Sequence, residues 1–131
     1  MSILGRKIPV KVVAALVVAM VVGALLPVMT QAPAREITLV VRDMTFFLDG
    51  DFQQPNPVIR VQAGERVRIV VRNDERGMTH DFAVPAVGAS MDLLAWKEQG
   101  AVTFEVPATP GSYEYVCRPH HLMMKGTLKV D

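Results

Sequence analysis

The sequence has a single cysteine, Cys117, among its 131 residues. One cysteine cannot build an internal disulfide framework, so Cys117 is a buried small hydrophobe, a reactive thiol or a metal thiolate. The sequence also lacks a surplus of positive charge. Of its 14 Lys and Arg residues, three lie within the first eleven positions, which leaves 11 against 13 Asp and Glu from Arg35 onward. This balance excludes a basic surface for nucleic acid.

The chain lacks the length for a second catalytic domain. With 50% hydrophobic and 21% charged residues, it can form one globular domain with a real core and an additional segment at one end. We therefore predict an N-terminal segment, residues 1–34, followed by one domain, residues 35–131.

Residues 12–29 form an uncharged hydrophobic run behind positive residues, which is the pattern of an export signal. Ala32 and Ala34 are small residues that permit cleavage after Ala34. The run is longer than the roughly 7–15 residues of a usual signal core and approaches the roughly 20 that span a bilayer. A cleaved signal and a retained N-terminal hydrophobic helix therefore both stay open. Under both readings, residues 35–131 lie on the periplasmic or extracytoplasmic side.

From residue 35 onward, hydrophobic residues recur at every second position, which is typical of half-buried strands. In "GERVRIVVRN", residues Val67, Ile69 and Val71 share one face, and in "SYEYVC" the core-facing positions include Tyr115 and Cys117. The segment "LDGDFQQPNP" is predicted to be a long loop. "GASMDLLAWKEQG" predicts either one helical turn or a loop packed by Trp96. Short strands with almost no helical pattern predict an all-β, antiparallel sandwich.

The stretch "YVCRPHHLMMKG" contains the cysteine, two of the three histidines and two of the eight methionines. A thiolate at Cys117, an imidazole at His120 and a thioether at Met123 or Met124 would form three sides of one site on a turn between strands. Zinc usually takes four strong ligands in a closed tetrahedron. A cysteine with histidine and a weak methionine instead suits copper, which takes two His and one Cys with a long axial Met.

The copper set needs a second histidine from another part of the chain. His80, in "RNDERGMTHDFAV", follows a loop at the start of a strand and can supply it. His121 is a poor choice because adjacent residues on an extended turn tend to point apart.

Two segments together resemble the cupredoxins, a family of blue-copper proteins that includes plastocyanins, amicyanins and azurins. They are "AGERVRIVVRNDERGMTHDFAV" and "GSYEYVCRPHHLMMKGTLKV". The resemblance covers residues 35–131. It rests on the Pro-Gly-x-Tyr-x-Tyr-x-Cys approach, the Cys-x-x-His turn, a Met-x-Gly ending and an upstream His, all in order. It implies a Greek-key β-sandwich, one copper ion and one-electron transfer between Cu(I) and Cu(II). The implied partners are redox proteins such as a cytochrome, an oxidase or a reductase, and we expect a monomer.

The resemblance also implies roles for particular residues. Family turns place the axial methionine two residues before a glycine, which favours Met124 over the alternative, Met123. The implied copper ligands are His80, Cys117, His120 and Met124. We further expect an apolar docking patch around His120, made of Met78, Pro119, Leu122 and Met123.

Two positions depart from the family pattern. The residue after the first His is commonly Asn, and the residue after the Cys is commonly Ser or Thr. Here they are Asp81 and Arg118, whose opposite charges predict a carboxylate–guanidinium bridge that orients His80 and Cys117. The alternative is that both side chains point to water.

A second functional reading is a protein that binds copper and passes it on through exposed ligands such as Met78, Met123 and Met124. An enzyme of the multicopper oxidase or copper nitrite reductase type needs more than the three histidines present. A dinuclear copper centre needs a second bridging cysteine. We therefore expect no enzymatic activity.

Overall fold

Residues with alternating hydrophobicity form short strands that each bury one face. The computed structural model describes Lys11 and residues 31–131. Among these residues, two single-turn 3-10 helices occur, at Pro85–Val87 and Arg118–His120. The strands of the described part are β1 (Arg35–Arg42), β2 (Thr45–Leu48), β3 (Ile59–Val61), β4 (Arg66–Asn73), β5 (Ala83–Val84), β6 (Ala89–Ser90), β7 (Gln99–Glu105), β8 (Gly111–Val116) and β9 (Lys125–Val130).

The strands form two sheets that share one hydrophobic core. The first sheet has the order β2-β1-β4-β7 and the second β3-β9-β8-β5-β6. Ile69 of the first sheet and Tyr115 and Leu128 of the second lie in the same buried cluster. This arrangement confirms the predicted all-β architecture and fits a Greek-key sandwich.

The prediction that the strands pair only in antiparallel fashion is wrong at two places. β1 pairs with β4 in parallel, and β3 pairs with β9 in parallel. The chain leaves the β1–β2 hairpin for the second sheet as β3 before it returns as β4 beside β1. Alternating hydrophobicity reports which face of a strand is buried and carries no information about the direction of its neighbour.

The two segments outside the clear strand patterns are irregular. Residues 49–58 form the predicted loop between β2 and β3. Residues 91–98 form a loop and not a helical turn, and the side chains that it buries are Met91 and Leu94. Trp96 is exposed instead, with the guanidinium of Arg76 4.2 Å from its ring centroid.

The predicted hydrophobic helix and the signal interpretation of residues 12–29 fall outside the described residues, and the boundary at Ala34 stays a prediction. Residues 31–34 have no regular secondary structure, and β1 begins at Arg35. Within the described ranges, no helix has the length and apolar character needed to cross a membrane.

Candidate metal centre

The loop between β8 and β9 brings its own two ends together. Cys117 follows directly after β8, and its backbone N–H donates to the carbonyl oxygen of Met124 at 2.9 Å. Inside the loop, the N–H of His120 donates to the carbonyl of Cys117 at 3.1 Å, and the N–H of Met124 donates to that of His120 at 2.9 Å. These hydrogen bonds fold the loop into a compact turn that holds the residues from Cys117 to Met124 around one point.

His80 reaches the same point from a second loop, after β4. Its backbone forms a two-way bridge with Leu94, with N–O distances of 3.1 and 2.7 Å. The buried amide of Asn73, at the end of β4, donates to the carbonyls of both Met78 and Leu94 at 2.9 Å. Asn73 therefore links the loop that carries His80 with the neighbouring loop that contains Leu94.

The three strongest ligands converge in this arrangement. Sγ of Cys117 lies 3.8 Å from Nδ1 of His80 and 3.6 Å from Nδ1 of His120. One ligand atom from each residue lies within 4.8 Å of the other two. His80 and Cys117 are fully buried, whereas His120 is half-buried and borders the surface. A metal ion bound by this cluster would therefore be enclosed by protein, and the His120 ring would be the ligand that borders the surface.

Burial sets the protonation of the two buried ligands. It lowers the pKa of His80, and Glu75 opposes that shift, so the imidazole tends to stay neutral and able to bind a metal. Burial also raises the pKa of the Cys117 thiol, which the backbone N–H groups of Asp81 and His120 partly offset. The same N–H groups favour the thiolate that a metal ion requires.

The two adjacent methionines differ sharply in burial. Met124 is fully buried and belongs to the core cluster that includes Cys117, whereas Met123 is 61% exposed. Only a buried thioether can face the enclosed side of the site. Burial therefore favours Met124 over Met123 as the axial ligand.

The residues fit copper by the chemistry of their donors. Two imidazoles, one thiolate and one thioether are the soft and borderline ligands that copper takes in blue-copper sites. No carboxylate belongs to the three-residue ligand cluster, whereas hard cations such as Mg²⁺ and Ca²⁺ require oxygen ligands.

The sequence profile of the family described as "Cupredoxin-like domain" matches residues 12–130. The chain belongs to this family. Its residues His80, Cys117, His120 and Met124 form a type 1 copper site that takes one copper ion, as the resemblance implied.

Solved structures show that the fold is that of the cupredoxins. Auracyanin B is 24% identical, with a TM-score of 0.63 over 79% of this chain and 93% of its own. Auracyanin from Roseiflexus castenholzii is 16% identical, with a TM-score of 0.60 over 76% and 99%. Auracyanin A from Chloroflexus aurantiacus, described as a "blue" copper protein, is 19% identical, with a TM-score of 0.57 over 76% and 100%. Among curated proteins, none matched this chain significantly.

The two departures from the cupredoxin pattern lie in contact with each other. The buried carboxylate of Asp81 accepts from the backbone N–H of Arg118 at 2.7 Å and from its Nε at 2.5 Å. The guanidinium also donates to the carbonyl of Met91 at 3.0 Å. Arg118 thus joins three loops around the copper site, although half of its side chain stays exposed.

The residues predicted for the docking patch are exposed in the structure. Leu122 is 79% exposed, and Pro119, Met78 and Met123 also reach the surface. A shallow depression of about 180 Å³ is lined by Pro119, His120, His121, Leu122 and Met123. His121 is exposed and outside the ligand cluster, with Nδ1 3.3 Å from the carbonyl oxygen of Arg118. This agrees with its exclusion from the ligand set.

Sequence reasoning missed three residues that support the site. A supporting role for Asn73 could have been suspected from the sequence, because it is a polar residue at an inward-facing position where the rest of β4 has hydrophobic residues. Asn56, in the loop between β2 and β3, donates to the carbonyl of Met123 at 3.3 Å. Glu75 lies against His80. No sequence pattern indicates either contact, since both join residues that only the fold brings together.

Proposed function

We propose that this cupredoxin is an extracytoplasmic, mononuclear blue-copper electron carrier that cycles between Cu(I) and Cu(II). The observation that carries the proposal is the convergence of two imidazoles and one buried thiolate within 4.8 Å of one another. The copper ion would supply the one-electron couple. The protein's own part is to hold the ligands still, because a site that rearranges little between oxidation states exchanges electrons readily.

Three sets of backbone hydrogen bonds anchor the ligands. His80 is held by its bridge to Leu94, Cys117 by its hydrogen bond to Met124, and the intervening turn by the hydrogen bonds of His120. Three of the four ligands are buried. This burial favours a retained ion over the copper-delivery alternative, which benefits from exposed and exchangeable ligands.

The route for electrons in this proposal is the edge of His120. The ring is half-buried and borders the docking patch, whose apolar side chains can contact a partner without strong charge pairing. Small apolar contacts suit brief encounters between redox proteins. We propose that the partners are other redox proteins, such as a cytochrome, an oxidase or a reductase, and that the protein itself is a monomer without enzymatic activity.

The location is proposed from the sequence of the N-terminal segment. Residues 12–29 would direct export, so that the copper domain lies on the periplasmic or extracytoplasmic face, either released or anchored. Cell fractionation followed by mass determination of the mature N-terminus tests this. A protein recovered in the cytoplasm with residues 1–34 intact would contradict it.

Copper loading of the purified protein tests the main proposal. We expect one bound ion and an intense visible absorption from charge transfer between the Cys117 thiolate and Cu(II). Cys117→Ser should abolish the colour. His121→Ala, which removes an imidazole beside the site but outside the ligand cluster, should keep it. A colourless copper complex of the unmodified protein would overturn the blue-copper assignment.

The docking patch is tested by the rate of electron self-exchange, which needs no identified partner. Leu122→Lys places a charge in the patch and should slow self-exchange without changing the visible spectrum. Thr103→Lys places the same charge at an exposed position of β7 and serves as the control. Equal rates in the two variants would show that electrons do not pass through the patch.

A further inference from the structure

The far side of the His80 ring faces a carboxylate. Nδ1 points toward Cys117, and Nε2 lies 3.1 Å from Oε2 of Glu75. This contact does not meet hydrogen-bond geometry, and among the described residues Nε2 has no hydrogen-bond partner. A buried N–H without an acceptor destabilises the fold, because it has lost its hydrogen bonds to water. Glu75 is therefore the one acceptor at hand for a ring that is fully buried.

Two hydrogen bonds hold Glu75 in this place. Its Oε2 accepts the backbone N–H of Met44 at 2.9 Å, and its own N–H donates to Oδ1 of Asn73 at 2.9 Å. The side chain is only 18% exposed. Among the described residues, no Lys or Arg forms an ion pair with Glu75. Its carboxylate charge is therefore not neutralised by such a partner where it faces His80.

The turn that presents Met44 is a two-residue hairpin turn. Asp43 and Met44, between β1 and β2, have positive φ angles of 49° and 56°. Such angles are uncommon for residues other than glycine, Asn and Asp, and they persist only where the surrounding structure imposes them. Here the Met44 side chain packs against the core while its N–H meets the Glu75 carboxylate. The turn thus supplies a hydrogen bond that helps to hold the carboxylate beside His80.

We propose that Glu75 is a positioning residue for the copper site. It accepts the Nε2–H of His80, keeps Nδ1 unprotonated and aimed at the metal, and places a negative charge behind the ligand. The nitrogen that binds a metal is set by the hydrogen bond of the other ring nitrogen, and a carboxylate in that role makes the imidazole a stronger donor. A stronger donor and a nearby negative charge both stabilise Cu(II) over Cu(I). Glu75 therefore lowers the reduction potential.

Asp81 does not perform the same task. Its carboxylate is paired with the Arg118 guanidinium, which neutralises its charge. The two acidic residues near His80 thus act differently. Asp81 ties the ligand loops together, and Glu75 acts on the ring itself.

Two measurements test this inference, which rests on the proposed copper function. The first is nitrogen NMR of His80 in the copper-free protein, where we expect the tautomer protonated at Nε2. A ring protonated mainly at Nδ1 would overturn the proposal. This result does not depend on the colour or redox activity of the loaded protein.

The second measurement is the reduction potential of copper-loaded Glu75→Gln, which keeps the size of the side chain and removes its charge. We expect a higher potential and a loss of Cu(II) affinity of about 10–100-fold, with Glu75→Asp between it and the unmodified protein. Glu114→Gln, at an exposed position of β8, is the control for charge alone. A blue protein whose potential moves no more in Glu75→Gln than in Glu114→Gln would overturn the inference and leave the copper assignment standing. If Glu75→Gln does not fold, the His80 tautomer of the unmodified protein decides whether the proposal holds.

Discussion

The carboxylate of Asp81 accepts two hydrogen bonds from Arg118, one from its backbone N–H and one from its guanidinium. One of these residues follows the ligand His80 and the other follows the ligand Cys117. Because Asp81 is buried, its charge needs both donors, and a buried charge that loses its partner is costly. The pair therefore links the two ligand loops directly behind the metal site.

We predict that Asp81→Asn and Arg118→Thr are coupled. Arg118→Thr keeps the backbone donor and removes the guanidinium, so it should lower the stability of the copper protein by about 1–3 kcal/mol. The double variant should lose less than the sum of the single losses, with a coupling of at least about 0.5 kcal/mol in a double-mutant cycle. Copper-site absorption and potential are measured in the same variants. Independent effects in all three measurements would show that the bridge does not support the site.

The two methionines are expected to respond differently to substitution by leucine. Met124→Leu removes the weak axial thioether and should raise the reduction potential clearly. Met123→Leu changes an exposed side chain of similar size and should leave the potential close to its original value. Cyclic voltammetry of both variants makes the comparison. A larger shift in Met123→Leu would reverse the assignment of the axial ligand.

A side chain at Gly126 is predicted to destabilise the fold. A Cβ atom at this position would lie 2.3 Å from the ring of Tyr115, its partner across β8 and β9. Since Tyr115 is buried and its hydroxyl donates to the carbonyl of Pro57 at 2.6 Å, the ring cannot move aside. Gly126→Ala should cost about 1–3 kcal/mol, the range for overpacking a core.

Urea denaturation of the copper-free protein measures this loss. Gly100→Ala is the matched control, because its Cβ would meet the flexible end of Leu94 at 2.8 Å. The Leu94 methyl group can shift, so the control should lose less stability. Equal losses in the two variants would contradict the steric explanation.

Alkaline pH should destabilise the copper-free fold through Tyr115. Burial raises the pKa of its phenol above the ordinary value of 10.0. Above pH 10 the unfolded chain releases this proton while the folded chain keeps it, so stability is full below that pH and falls as pH rises. The slope contributed by one such group approaches about 1.4 kcal/mol per pH unit.

The contribution of Tyr115 is isolated in a Cys117→Ser background, because the buried thiol also has a raised pKa. Denaturation of Cys117→Ser is compared with that of Cys117→Ser/Tyr115→Phe at pH 8 and pH 11. The phenylalanine variant should lose about 1 kcal/mol at pH 8 through the missing hydrogen bond to Pro57. Its free energy of unfolding should also decrease less between pH 8 and pH 11 than that of Cys117→Ser. Parallel declines would contradict the role of the phenol.

The amino-acid sequence by itself determined the longer strands and the types of donor atom. Alternation at Val67, Ile69 and Val71 marks a strand with one buried face, because side chains of a strand alternate between two sides. The types and spacing of Cys117, His120 and Met124 favoured copper over zinc, because ligand softness is a property of the side chain and needs no fold to be recognised.

Tertiary structure alone decided which residues meet from distant parts of the chain. Strand direction was one such outcome, since the parallel pairing of β1 with β4 depends on the path through the second sheet. The contact of Glu75 with His80 was another. It requires the β1–β2 turn to hold the carboxylate and Asn73 to hold the loop. Periodicity reports the environment of one residue at a time, whereas such a contact exists only after folding has brought separate segments together.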